Sequence, residues 1–465
     1  MTDLIVNGTL IDGTGAAATP LRWIELSSDG RIAEIVAGRG ALDRPLPTGA
    51  NVRLDAAGMT VMPGIVDAHC HISYGVARGM EEQDLYSSAE YRAIRGTYHA
   101  GQVLRAGVTS ISDPGGSWHV AVAVRDAIKA GMFPGPRISC AARYLTSHTG
   151  LADYYPTWVG APPSGVGALT RSAEEMLNEV RAQAKNGVDF IKVAASGESA
   201  ILTPGGGSVP AFRAEELKVI VDEAHRLNKR ATAHARSGAA VADCIAAGMD
   251  WIMHGDYMSR EQADRLAESG IPLCPALTLI VNMAEYGHIA GCPVSRIERM
   301  KRNVEDAVAI LDYARRQGVT MMCGTDTGFA LTPYGEWHAR EMEIFVAHLG
   351  FSPLEAITCG TRNAAFAVDA ANVGTLEKGK FADVLVVKGD PLQDIGILQD
   401  KSAIHAVFKG GESVDLHEPA RATRWAWEKN LELSSGELYY DTARRSKETM
   451  NQATPTSSPT TRREG

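Results

Sequence analysis

The sequence predicts an α/β protein, a (β/α)8 TIM barrel accompanied by a small β-sandwich domain made from its two flanks. Three observations predict it. Between residues 61 and 365, short β-rich apolar runs alternate with longer segments of helical period. Eight such units follow one another in a single run, which suits a closed barrel better than an open sheet. Residues 1–60 and 366–415 instead carry short alternating stretches with turn signals at Asn7-Gly8, Asp12-Gly13 and Asp29-Gly30.

The eight strands are expected at 61–71, 108–113, 137–144, 188–194, 230–235, 249–254, 271–277 and 319–326. Helices are legible between them. In 213–227, Leu217, Ile220, Val221, Ala224 and Leu227 recur at three- and four-residue spacing, and 297–316 repeats the pattern with Met300, Val304, Ala307, Val308 and Leu311. Gly107, Gly187, Gly248, Gly270 and Gly318 each precede a strand and suit left-handed helix caps. The two flanks are expected to pair into one β-domain. A helical extension follows at 416–450, where Trp425, Trp427, Tyr439 and Tyr440 point to packing or a subunit contact, hence to a homo-oligomer. The Thr-, Ser- and Pro-rich stretch 451–465 is expected to be a disordered tail.

Composition narrows the function. Lys and Arg number 46 against 55 Asp and Glu, a net charge of −9 without a basic cluster, so nucleic acid is a poor partner. The seven cysteines are scattered without a CxxC pair, as in a reduced protein. The first residues lack the basic and apolar regions of a secretory signal, and no apolar run approaches the roughly 18–20 residues that span a bilayer. A soluble cytoplasmic protein acting on a small molecule, with no membrane partner, is the expectation.

The chemistry-bearing residues fall at strand ends. In Asp67-Ala68-His69-Cys70-His71, alternation puts His69 and His71 on one face, where two imidazoles can bind a metal ion. Lys192, His234, His254 and Asp326 close expected strands four, five, six and eight. Taken singly, His69 and His71 read as two partly exposed histidines, His234 and His254 as satisfied core residues, and Asp326 as a turn cap. Lys192, set in the apolar Phe190-Ile191-Lys192-Val193, is either a buried ion pair or a neutral amine that reacts with carbon dioxide to give a bridging carbamate. Together the six supply two ligand clusters for metals about 3.5–4 Å apart, an arrangement that activates a hydroxide.

These motifs, with Gly360-Thr361-Arg362-Asn363-Ala364-Ala365, 374–383 and Val386-Val387-Lys388-Gly389-Asp390-Pro391, resemble the amidohydrolase superfamily. The resemblance covers about residues 3–415, within the imidazolonepropionase-like and Xaa-Pro dipeptidase-like branch. Chain length and the C-terminal extension are similar to those of bacterial phenylurea and molinate hydrolases. The resemblance implies His69, His71 and Asp326 on a first metal, His234 and His254 on a second, and an N6-carboxylated Lys192 as the bridge. It implies Asp326 as general base, and hydrolysis of an amide, urea or carbamate C–N bond, with an arylamide or a herbicide-like phenylurea or thiocarbamate favoured over a peptide. Zinc is the first expectation for both ions, with cobalt, manganese and iron also suited to these ligands. His148 resembles a substrate-contacting histidine of the family, against the plain alternative of a solvated loop residue. Many relatives have His-Ala-His where this chain has His234-Ala235-Arg236; Arg236 either reaches the pocket, favouring a carboxylate or polarising a carbonyl, or forms a rim ion pair. An Xaa-Pro-type dipeptidase is the main enzymatic alternative, and a non-catalytic scaffold the alternative from another class.

Overall fold

A computed structural model describes residues 2–198, 209–419 and 436–453. Its parallel strands occupy the expected stretch of chain. Ile65–Asp67, Val108–Asp113 and Arg137–Cys140 form a three-stranded sheet. A six-stranded sheet runs, in spatial order, Gly167–Leu169, Tyr144–Thr146, Phe190–Ala194, Arg230–Ser237, Trp251–Tyr257 and Leu273–Cys274. Backbone hydrogen bonds connect the two. Asp189 N–H donates to Cys140 at 2.8 Å on one side; on the other, Leu273 donates to Thr320 at 2.9 Å and Ala68 to Cys323 at 3.0 Å. Every residue of Phe190–Ala194 is buried, as a parallel strand covered on both faces requires.

Four expected strands differ from the expectation, each for a local reason. The run 61–71 divides at Gly64. Met59–Pro63 pairs antiparallel with Val384–Lys388, whereas Ile65–Asp67 pairs parallel with Val108–Asp113. A Cβ at residue 64 would stand 2.2 Å from Thr109 Oγ1, so only glycine fits this crossing. The run 137–144 likewise divides between the two parallel sheets. The run 271–277 shrinks to Leu273–Cys274, because Pro272 and Pro275 have no N–H to give a ladder. In 319–326 only an isolated bridge joins Met321 to Leu273, since Cys323 gives its N–H to Cys359.

The helices follow the apolar period. Ala214–Arg226 buries Leu217, Ile220, Val221 and Ala224, and Val294–Arg316 buries Ile297, Met300, Ala307 and Leu311. A fully buried Leu or Ile on such a face contributes roughly 1.5–3 kcal/mol. Gly107, Gly187, Gly248, Gly270 and Gly318 all have positive φ, as their capping positions predict.

Strands from both flanks lie in one nine-stranded sheet. Its path runs from Glu412–Ser413 and Ile404–Lys409 through Val384–Lys388 and Met59–Pro63 to Thr9–Leu10, Thr19–Leu26, Thr2–Val6 and Ala50–Asp55. Ile32–Ala37 pairs with Thr19–Leu26 beside that path. Tyr440–Ala453 is the helix of the C-terminal extension. Before it, Leu438 is buried, donates its N–H to Ala330 at 2.8 Å and accepts the Trp337 indole N–H at 2.8 Å. Trp425, Trp427 and residues 454–465 lie outside the described residues. All seven cysteines are free and buried. No helix among the described residues is long and apolar enough to cross a membrane.

Candidate metal centre

The site is built on Asp67, the last residue of its strand. Its buried carboxylate accepts hydrogen bonds from His69 N–H at 2.9 Å, Thr325 N–H at 3.1 Å, Thr325 Oγ1–H at 2.5 Å and His338 Nδ1–H at 2.7 Å. One acidic side chain thereby ties the His69 turn to the Thr325-Asp326 turn. The two segments also touch directly at Gly324, where a Cβ would stand 2.7 Å from that of His69.

His71 is oriented from the neighbouring strand. Its Nδ1–H donates to the Gly115 carbonyl at 2.6 Å, and Asp113 holds that turn by accepting from Gly115 N–H at 3.0 Å and Ile72 N–H at 2.9 Å. The tautomer is set by this bond, so His71 Nε2 presents a lone pair. That atom lies 3.0 Å from His69 Nε2 and 3.2 Å from Asp326 Oδ1, while His69 Nε2 is 3.4 Å from the same oxygen. Electron-rich atoms this close repel unless protons or a cation sit between them.

His254 and His234 complete the cluster. Ligand atoms of His69, His254 and Asp326 all lie within 4.8 Å of one another. The His234 and His254 ring centroids are 4.5 Å apart, and those of His69 and His254 5.3 Å. His254 and Asp326 have φ of 77° and 54°, left-handed conformations that cost energy in residues other than glycine and are held here by the surrounding structure. Among the described residues, His234 Nε2 and His254 Nδ1 are buried without hydrogen-bond partners, as is Nδ1 of His69, the ring nitrogen other than the one that faces His71. Burial pushes the pKa of His69, His234 and His254 well below the ordinary imidazole value, which leaves them neutral with lone pairs to share. Burial pushes the Asp326 carboxyl up, but His69, His71 and Arg236 beside it hold it below the usual carboxylate range.

Lys192 is buried on the floor of the same cavity. Its Nζ contacts Met253 Sδ at 2.6 Å, and no carboxylate pairs with it among the described residues. Burial lowers its pKa to about 7, so a large fraction of the amine is neutral near that pH. The buried ion pair weighed from the sequence is therefore not what the geometry contains. Orphaned imidazole nitrogens, a carboxylate and an unpaired amine make a donor set that fits divalent metal.

Arg236 also lines this cavity, and two carboxylates pair with it. Its guanidinium pairs with Asp256 and with Glu198 Oε1 at 2.8 Å. Burial lowers its pKa, yet those two carboxylates raise it further, so the group stays charged. His148 is not brought to the cluster. Its side chain is 48% exposed, has Asp153 Oδ2 3.2 Å from Nδ1, and does not line the cavity.

The cavity encloses about 1030 Å³ including its open mouth. Above the histidines its walls are largely apolar, with Tyr74, Met80, Leu279, Ile280, Met283 and Phe329 among them. The Tyr74 ring stacks on His71 with centroids 4.1 Å apart. Sequence reasoning missed Tyr74, Asp67, His338 and Glu198. For Tyr74 a faint signal exists, three residues beyond the His-Cys-His motif; His338 carried none.

Four histidines, a lysine and an aspartate line one cavity, set within or just beyond parallel strands, and the family match makes the protein a hydrolase with a TIM-barrel-containing α/β fold. The chain belongs to the amidohydrolase family, whose sequence profile matches residues 60–414. That superfamily generally uses a divalent metal centre. An ochratoxinase of Aspergillus niger is 29% identical over 435 residues, covering 88% of this chain and 86% of the relative. A Xaa-Pro dipeptidase solved with bound methionine superposes with a TM-score of 0.77 at 27% identity, covering 89% of this chain and 99% of that one. Molinate hydrolase and phenylurea hydrolase B align at TM-scores of 0.72 and 0.68 with 23% and 22% identity, over 91% and 90% of this chain and 98% and 97% of theirs, which carries the fold alone.

Proposed function

We propose that this chain is a metal-dependent hydrolase that cleaves an amide-type C–N bond of a small molecule, in an amide, urea or carbamate. The carrying observation is the buried convergence of His69, His71 and His254 on Asp326, lone pairs inward, at the bottom of an apolar cavity. In this reading His69, His71 and Asp326 hold one divalent ion, zinc by preference, and His234 and His254 hold another. Bound metal supplies an acidified water and polarises the substrate carbonyl. Asp326 would accept a proton from the attacking water and return it to the departing nitrogen. Lys192 would add carbon dioxide at its neutral Nζ with loss of one proton, giving an anionic carbamate able to serve as an oxygen ligand. The kinship with an ochratoxinase and a Xaa-Pro dipeptidase supports C–N hydrolysis without choosing the substrate.

The same reading takes 61–365 as a closed (β/α)8 barrel and 1–60 with 366–415 as its composite β-sandwich partner. The hydrogen bonds through Asp189, Leu273 and Ala68 support closure. The function is tested by assaying metal-loaded protein on a panel of amides, ureas, carbamates and dipeptides, before and after chelation. Metal-dependent turnover of one class is the expected result. Inactivity of the loaded protein on all four classes overturns the proposal and favours a scaffold.

A further inference from the structure

Four cationic side chains line the cavity: Lys192, Arg236, Arg296 and Arg299. Their surroundings differ. Lys192 belongs to the metal cluster, and Arg236 is neutralised by Asp256 and Glu198. Arg296, in the first turn of the Val294–Arg316 helix, is half-buried, and no acidic side chain pairs with it among the described residues. That turn contains no acidic residue, and the nearby Arg299 adds like charge. Arg296 thus brings a guanidinium without an acidic partner among the described residues to a lining that also contains Leu279, Ile280, Met283 and Met300. In a protein of net charge −9, this is a local site of positive potential inside the substrate cavity.

We infer that Arg296 is a specificity-determining residue that binds a carboxylate on the substrate, away from the scissile bond. The substrate class is then an N-acylated amino acid with an apolar body, and the inference rests on the amide-hydrolase reading above. A guanidinium can hold a carboxylate through two parallel N–H bonds, while the Leu and Met side chains cover the apolar part. Arg236 does not fill this role, because a substrate carboxylate there would have to displace Asp256 or Glu198.

The test compares N-benzoyl-leucine with N-isopentylbenzamide, two amides that differ only by the carboxylate, by following benzoate release. Wild-type enzyme is expected to prefer the acid. Arg296→Met should lower kcat/KM for the acid about 10–100-fold, mostly through KM, and leave the benzamide within about 2-fold. Arg296→Lys should restore part of the loss. Equal turnover of both amides by wild type, or equal losses in Arg296→Met, overturns the inference while C–N hydrolysis stands. Calorimetric binding of N-benzoyl-leucine to the metal-loaded protein separates the remaining cases. Binding abolished by Arg296→Met without turnover supports the carboxylate site and counts against hydrolysis; absence of both binding and turnover overturns the inference.

Discussion

The floor of the cavity and the wall that carries Arg296 are built differently. On the floor, Lys192, His234 and His254 sit within parallel strands, where pairing register sets their direction, and His69, His71 and Asp326 lie beyond them: Lys192 is opposite Thr232, and Ala194 opposite His234. Buried acids such as Asp67 and Asp113 then lock the turns. The wall comes from two helices, Thr278–Tyr286 and Val294–Arg316, whose side chains reach the cavity from helix faces rather than from a strand register, although the buried Glu341 carboxylate accepts from Leu277 and Thr278 N–H at the start of the first. Register fixes positions closely and tolerates little change, as chemistry requires. Helix packing leaves more latitude, which suits residues that select among substrates.

The sharpest way to break this comparison is to remove the proposed general base. Asp326→Asn should lower kcat about 10²–10⁴-fold, and chelation should abolish turnover, both read from steady-state rates beside metal content. Retained turnover in that variant removes Asp326 from the role. Next comes the bridge. Lys192→Met preserves apolar volume but should weaken metal retention at least about 10-fold, measured as metal remaining after dialysis. Unchanged retention would count against a carbamate. A smaller effect is expected beneath the floor, where Asp67→Asn turns an acceptor into a donor facing Thr325 or His338. The cost should be about 1–3 kcal/mol in denaturant unfolding of metal-free protein, and an unaltered midpoint would show that this network does not brace the floor. The smallest effect belongs to His148→Ala, which should leave kcat/KM within about 2-fold. A large loss there would mean that the loop folds over the cavity during turnover.

The same difference explains what could be seen in the sequence. Strand alternation and strand-final positions point to His69, His71, Lys192, His234, His254 and Asp326, and the structure brings all six to one cavity. The helices are equally legible, because their apolar period survives in Ala214–Arg226 and Val294–Arg316. What pattern alone could not supply is pairing across long separations. Asp67 meets His338 over 271 positions, and Arg236 meets Asp256 over 20. Arg236 therefore read equally well as a carboxylate receptor or as a member of an ion pair. Prolines decided the shortening of 271–277, but an apolar run conceals where one strand gives way to another, as at Gly64.

The link at Leu438 has a practical meaning for anyone shortening this chain. Its two hydrogen bonds reach Ala330, a cavity-lining residue, and Trp337, which lies 101 positions upstream. A truncated form ending at the last flank strand would leave an indole N–H and a carbonyl bare beside an unfilled apolar notch. Substrate selectivity measured on such a fragment would then report a reshaped chamber, even if all six clustered side chains remained in place.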